Sequence, residues 1–260
     1  MIRILKYSFF DLMRGRWSYI YAAFYFILGY ALLFLNNDVS KAVITLLNVI
    51  ISLTPLIGVI FGVMYYYNSR DFTELLLAQP IKRTDIFLGQ YLGLSLSLSL
   101  SLAAGLGIPF IVYGLFQSPA IFDFLSLLFT GALLTFIFVA LGYNIALSFE
   151  DKIRGFGLAI LTWLFLTIIY DGLFLISMMI FRDYPLDKFA LGAAMFNPID
   201  LSRILILLKL DISALLGYTG AVFEKFFGTN LGMTCALGLL SLWVILPVMR
   251  IIYKSGRKDF

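Results

Sequence analysis

The chain has 260 residues, of which 62% are hydrophobic and 13% charged, with a net charge of +4 and a mean hydropathy of +0.98. So much apolar side chain cannot be hidden inside a water-facing particle of this length, and disordered chains have the opposite composition, so both classes are excluded. The single cysteine, Cys235, and the lack of histidine exclude an intramolecular disulfide and the commonest zinc and copper motifs. The composition therefore predicts an integral membrane protein.

Residues 1–16 precede the first long apolar stretch and have the pattern of an amphipathic helix. Ile2, Leu5 and Phe9 recur at spacings of three and four, while Arg3 and Lys6 occupy other positions. This arrangement is typical of a helix that lies in the membrane interface. A plain flanking anchor, in contact with lipid headgroups alone, is the alternative.

Six apolar segments are long enough to cross a membrane. A hydrocarbon core about 30 Å thick needs about 20 residues of helix. The segments are Trp17 to Leu35, Ala42 to Tyr67, Ile86 to Phe116, Phe124 to Ser148, Gly155 to Phe181 and Leu231 to Ile252. A porin-like barrel would show many short alternating segments instead, and residues 94–102 are the one such run. The predicted fold class is an all-α membrane protein with six transmembrane helices over residues 17–260.

The basic residues predict the orientation of these helices. Thirteen of the 19 Lys and Arg residues lie before the first segment, between the second and third, between the fourth and fifth, or in the last turn of the sixth and beyond it. Cytoplasmic loops carry the excess of Lys and Arg, so both termini are predicted to be cytoplasmic. The apolar stretch after Arg16 is too long for a cleaved signal peptide.

The cytoplasmic loop of residues 68–85 contains a short predicted helix. Asp71 and Glu74 would lie near its amino end, where the helix dipole favours negative charge, and Pro80 would end it. An apolar patch at spacings typical of one helical face consists of Phe72, Leu75 and Leu76. Such a patch needs either a protein partner or a position flat in the membrane interface.

The third segment carries small residues at every fourth position. They are Gly89, Gly93, Ser97, Ser101 and Gly105. A stripe of this kind permits another helix to approach closely along its length. Ordinary bundle packing is the simpler interpretation, and a surface on which helices slide is the alternative.

Asp171 is the one acidic residue well inside a predicted span. An ionised carboxylate is costly in hydrocarbon, so this side chain should face the bundle or a water-filled cavity, or be protonated. Both a functional carboxylate and a structural hydrogen bond to a neighbouring helix fit the sequence. A second carboxylate of the kind an intramembrane aspartyl protease needs is missing.

Residues 182–230 form a long external segment before the last span. Asn197 can cap a helix, Pro198 suits its first position, and Asp200 follows in its first turn, with Arg203 on the next turn. We expect two short amphipathic helices in this segment, with a boundary near residues 217–220. The apolar stretch of residues 204–208 is too short to cross the bilayer.

The stretch FTELLLAQPIKRTDIFLGQY, residues 72–91, resembles the first cytoplasmic loop of permease subunits in the second exporter class of ATP-binding-cassette (ABC) transporters. The six spans, the interfacial helix and the internal termini also fit that family. The stretch NPIDLSRILILL, residues 197–208, resembles the external segment of NosY-type permeases, which assist copper-site assembly in nitrous oxide reductase.

The resemblance implies a bacterial inner-membrane permease that pairs with a second copy of itself. It also implies that residues 71–79 form a coupling helix seated in a separate ATPase subunit, which holds ATP and Mg²⁺, and that a periplasmic accessory protein takes part. This chain has no P-loop, because no lysine follows a glycine, so it does not hydrolyse ATP itself. No cofactor, metal site or nucleic-acid partner is expected in this chain.

Three other functions compete with this interpretation. They are export of lipid or hydrophobic small molecules, ion-coupled secondary transport through Asp171, and intramembrane catalysis. Catalysis is disfavoured by the missing histidine, and secondary transport by the lack of an obvious repeat between the two halves. Soft ligands for copper are scattered at Met178, Met179, Met233 and Cys235, so we expect these residues to pack and not to ligate metal.

Overall fold

The computed structural model describes residues 1–36, 38–181, 187–209 and 225–257. Their long helices are α1 (Ile2–Arg14), α2 (Arg16–Asn36), α3 (Val39–Asn68), α4 (Arg70–Leu77), α5 (Arg83–Val112), α6 (Ile121–Ser148), α7 (Lys152–Leu164), α8 (Tyr170–Ile180), α9 (Asp187–Phe196), α10 (Pro198–Lys209) and α11 (Asn230–Arg257). A π-helical turn, Phe165–Ile169, joins α7 to α8. Among the described residues, six helical segments are long and apolar enough to cross a membrane. No strand occurs in the described part of the chain, so the predicted all-α membrane class is confirmed.

The six crossing helices overlap the six predicted segments, with one clear difference. The third was expected to continue to Phe116, but α5 ends at Val112. Gly114 follows in the left-handed backbone region, with φ of 85°, and begins a 3₁₀ turn at Leu115–Gln117. Glycine adopts that conformation without a Cβ clash, so the turn ends the helix four residues early.

The core of the bundle is formed by α3 and α6, which pack together along most of their length. Small residues allow this close approach. A Cβ on Gly142 of α6 would overlap the Val59 carbonyl oxygen of α3, and a Cβ on Gly62 would lie 2.7 Å from the Val139 carbonyl oxygen. Glycine is therefore required at both positions for the two backbones to stay in contact.

One end of the bundle carries α1, α4, the α6–α7 connection and the end of α11. The Tyr67 hydroxyl donates to the Phe149 carbonyl oxygen at 2.8 Å, and Lys152 Nζ donates to Asn68 Oδ1 at 3.2 Å. Lys254 of α11 donates to Ser148 Oγ. These contacts bring together the basic segments that the positive-inside rule assigns to the cytoplasm. We call this the α4 end.

The close contact between α3 and α6 generates a prediction. Gly142→Ala should lower the free energy of unfolding by about 1–3 kcal/mol, because the new methyl group overlaps backbone that cannot move aside. The measurement is thermal unfolding of the full chain in detergent.

Gly157→Ala provides the matched control, because nothing lies within 4 Å of a Cβ at that helical position. There the substitution should be neutral, or stabilising by up to about 1 kcal/mol, through the better helix propensity of alanine. Equal melting temperatures for the two variants would contradict the packing described.

Candidate functional site

Helices α9 and α10 form a hairpin that projects into the bundle from the end opposite α4. The two helices meet at Asn197 with a bend of 114°. The Asn197 side chain is fully buried, and its amide donates to the Leu166 carbonyl oxygen at 2.8 Å. Leu166 is the middle residue of the crossing helix Lys152–Ile180. The tip of the hairpin therefore lies near the middle of the apolar layer.

Local chemistry explains the break at the tip. Asn197 Oδ1 accepts from the Ile199 backbone N–H at 3.1 Å and so caps α10, while Pro198 occupies the first helical position. The cap and the proline were predicted from the sequence. Leu166 belongs to the π-helical turn, whose wider ring loosens the regular carbonyl pairing and leaves an oxygen for the Asn197 amide.

Arg203 connects the hairpin to α8 through two carboxylates. Its Nη1 donates to Asp171 Oδ2 at 3.0 Å and to Asp200 Oδ1 at 3.0 Å. Asp200 Oδ2 also accepts from Asn197 Nδ2 at 2.9 Å. The side chains of Arg203 and Asp171 are 27% and 28% exposed. Charge-assisted hydrogen bonds of this kind are stronger than neutral ones, and here they join residues that sequence reasoning had placed in two separate features.

Most of α10 is buried, which differs from the amphipathic helix that was expected. Ile199, Leu201 and Ile206 are at most 1% exposed, because α10 packs against α3, α6 and α11. The predicted boundary near residues 217–220 lies outside the described residues. Within the described part of the segment the boundary is Asn197.

Further contacts hold the hairpin in place. The Tyr170 hydroxyl donates to the Ala193 carbonyl oxygen at 2.6 Å, and the Phe174 and Phe189 rings stack with centroids 6.3 Å apart. On the other side, Trp243 Nε1 of α11 donates to the Met195 carbonyl oxygen at 3.5 Å. The hairpin is thus fixed between α8 and α11.

At the opposite end, α4 divides the predicted apolar patch between two environments. Phe72 is half-buried and stacks on Tyr7 of α1, with ring centroids 4.7 Å apart, and Leu76 is also half-buried. Leu75 is 68% exposed, and Asp71 and Glu74 are also exposed. Phe72, Leu75 and Leu76 therefore do not form one free surface. Pro80 lies exposed beyond the end of the helix.

A buried chain of polar groups connects α4 to the core. Gln90 Nε2 of α5 donates to Thr73 Oγ1 at 2.9 Å, and the Tyr143 hydroxyl of α6 donates to Gln90 Oε1. Gln90 and Tyr143 are 0% exposed and Thr73 is 3% exposed. Sequence reasoning missed these three residues, although an amide inside an apolar span is itself a signal of a specific contact.

The stripe of small residues on α5 receives α1 and α2. A Cβ on Gly89 would lie 3.0 Å from Ile4, and a Cβ on Gly93 would lie 2.7 Å from Ser8. Farther along, Ser101 Oγ is 2.7 Å from Ser18 Oγ. A Cβ on Gly105 would lie 2.6 Å from the Ala22 carbonyl oxygen. Ser97 is also buried. The stripe thus acts as a packing surface in this structure.

No group of three or more His, Cys, Asp or Glu that could hold a metal occurs among the described residues. The scattered thioether and thiol groups, Met178 and Met179 on α8 and Met233 and Cys235 on α11, belong to helices that are not extensively packed together in the described part of the chain. Met179 is 81% exposed and Cys235 is exposed. Asp171 and Asp200 share Arg203, so a cation already lies between the two carboxylates.

In the described part of the chain, six helices apolar enough to cross a membrane, a short helix after the second and a capped hairpin before the last define a multi-pass membrane protein. No protein-family model matches the chain. It is 25% identical over 254 residues to the probable ABC transporter permease protein NosY of Stutzerimonas stutzeri, an alignment that covers 92% of this chain and 85% of that protein. The resemblance to NosY-like ABC permeases is thereby confirmed.

The geometry around Arg203 generates the second prediction. Arg203→Gln should destabilise the hairpin more than Asp171→Asn, because it leaves two carboxylates facing each other without a cation between them. We expect about 1–3 kcal/mol for Arg203→Gln, since the groups are only partly buried. Hydrogen exchange of the α10 amides measures the effect.

The Asp171→Asn/Arg203→Gln double variant separates the interaction energy between the two side chains from the cost of each single substitution. It should cost less than the sum of the single variants, because the repulsion created by Arg203→Gln is relieved. Strict additivity would show that Asp171 and Arg203 do not interact.

Proposed function

We propose that this chain is the permease subunit of an ABC transporter in which a separate ATPase binds α4 and drives a rearrangement of the hairpin. The observation that carries the proposal is the exposed face of a short helix whose opposite face is tied to the bundle core through Thr73, Gln90 and Tyr143. The likeness to a probable ABC permease over nearly the whole chain supports the same assignment.

The exposed face of α4 has the chemistry of a docking surface. Asp71, Glu74 and Leu75 follow at spacings of three and four, so they point to one side of the helix, and all three are exposed. Glu74 is paired with Arg70 at 3.1 Å across a solvent-exposed turn. An ATPase groove that presents basic groups around an apolar pocket for Leu75 would be complementary to this face.

The connection from α4 to the hairpin passes through rigid helices. Tyr143 belongs to α6, and α6 packs directly against α10. A displacement of α4 would therefore act on the helix that supports the hairpin, provided the bundle has two alternative packings. The hairpin tip, held by Asn197 and Arg203, is the part of the far end that we propose changes position.

The proposal includes the orientation and the partners. The α4 end faces the cytoplasm of an inner membrane, ATP and Mg²⁺ are bound by the ATPase, and a second copy of this chain completes the permease. A periplasmic accessory protein would meet the hairpin end. Ion-coupled transport through Asp171 has less support, because that carboxylate already shares the Arg203 guanidinium with Asp200.

A finer proposal follows from the NosY-like external segment: the complex serves copper-site maturation of nitrous oxide reductase. This chain would then supply mechanical work and not copper ligands, because its thioether and thiol groups are scattered. A deletion strain should contain reductase that lacks its copper centres. Normal copper content in that strain would remove this finer role and leave the permease proposal standing.

The docking proposal makes a direct prediction. Leu75→Asp, and the charge reversal Glu74→Lys, should each weaken binding of the ATPase subunit about tenfold or more, because both alter the exposed face of α4. The bundle should stay folded, since neither side chain is buried. The measurement is the amount of P-loop subunit, identified by mass spectrometry, and of ATP hydrolysis that purify with the tagged chain.

Glu150→Lys is the matched control, because it reverses an exposed carboxylate at the same end of the bundle that belongs to the α6–α7 connection and not to α4. It should leave both readouts close to those of the wild type. If Leu75→Asp and Glu74→Lys behaved like this control, α4 would not be the ATPase site.

A further inference from the structure

A groove on the outside of the bundle runs between α6 and α11 and is separate from the α4 face. Its volume is about 360 Å³, and its walls are largely apolar. Leu141 lines it from α6, while Leu242 and Leu246 line it from α11. Met195 and Phe196, at the tip of the hairpin, also line the groove. Since the tip lies near the middle of the apolar layer, these two residues close the inner end.

The length of the groove corresponds to one leaflet. Arg250 lines the end of the groove at the lipid headgroups. Leu239, eleven residues earlier on α11, lies toward the end near the middle of the bilayer. Eleven residues of helix rise about 16 Å, which is close to half of a hydrocarbon core about 30 Å thick. A single acyl chain from the leaflet at the α4 end would fit this span.

Polar groups are concentrated at the headgroup end of the groove. Arg250 is exposed there, and no carboxylate among the described residues forms an ion pair with it. Lys254, one turn further along α11, donates to Ser148 Oγ. Both cations lie in the last two turns of the crossing helix α11, where a lipid phosphate would be expected, which makes this end complementary to an anion.

Asn144 is a buried polar residue beside this end of the groove. This residue is 6% exposed and lines the groove. Its amide nitrogen donates to the Ala140 and Pro247 carbonyl oxygens at 2.9 and 2.7 Å, but its Oδ1 atom is buried without a donor among the described residues. Because Oδ1 is inaccessible to solvent, it cannot be reached from the groove and contributes no contact to a ligand there.

We propose that this groove binds one anionic phospholipid from the leaflet at the α4 end. The phosphate lies on Arg250, and one acyl chain extends between Leu242 and Leu246 toward Phe196. Phosphatidylglycerol has both features, the anionic phosphate and the acyl chain. The bound lipid would join α6, α11 and the hairpin tip. This inference does not depend on the ABC assignment.

The test compares lipid retention by variants of the full chain. The protein is reconstituted in nanodiscs containing equal amounts of phosphatidylglycerol and phosphatidylcholine, extracted into detergent, and examined by native mass spectrometry. Wild-type chains should retain one phosphatidylglycerol in preference to phosphatidylcholine. Arg250→Gln should reduce that retention roughly fivefold, the effect of one interfacial cation. Leu246→Trp should reduce it by filling the groove while Arg250 is kept.

Two controls establish that the retained lipid occupies this groove. Arg154→Gln removes an exposed cation at the same end, outside the groove, and should retain lipid like the wild type. Inorganic phosphate should not raise the melting temperature of the lipid-depleted chain, whereas phosphatidylglycerol should. Equal retention by Arg250→Gln and Arg154→Gln, stabilisation by phosphate alone, or a second copy of the chain crosslinked through Leu246→Cys would each overturn the proposal.

Discussion

The Arg203 guanidinium, shared between Asp171 and Asp200, allows the polar side chains of the α9–α10 hairpin to lie inside an apolar bundle. Two carboxylates and an amide at this depth would be costly if they were left alone. The guanidinium donates to both carboxylates. The Asn197 amide donates to Asp200 and to the Leu166 carbonyl oxygen in the π-helical turn. Because each group depends on the others, the hairpin has a defined position, and a change in one contact would release several.

The two ends of the protein are built differently but share the same supporting helices. At the α4 end, a short helix presents an acidic and partly apolar face while Thr73 ties it to Gln90 and Tyr143. At the other end, α10 rests against α3 and α6, whose own contact is fixed by Gly62 and Gly142. Such tightly packed helices transmit displacements and do not absorb them, which is the property a permease driven by an external ATPase requires.

The sequence predicts the helical architecture well because the relevant signals are local. Each signal lies within one continuous stretch of sequence. Such signals are the length of a span, the basic loops, the acidic start of α4 and the Asn197–Pro198 cap. The pairing of Asp171 with Arg203 could not be read in this way, since 32 residues separate them and only the turn at Asn197 brings them together. The same holds for Gln90 and Tyr143, which are 53 residues apart. Phe72 is covered by α1 and Leu75 is not. The helical periodicity of α4 could not predict this difference, because it does not specify where α1 packs.

The most direct test of this account measures hairpin position during the ATPase cycle. Spin labels at Lys188→Cys in α9 and Leu125→Cys in α6, both exposed positions, in a Cys235→Ser background, report the distance between the hairpin and the core helix. In the complex with its ATPase, the distance distribution should differ between the nucleotide-free and ATP-bound states, and Leu75→Asp should abolish that difference. An unchanged distribution in a complex that continues to hydrolyse ATP would contradict the coupling of α4 to the hairpin.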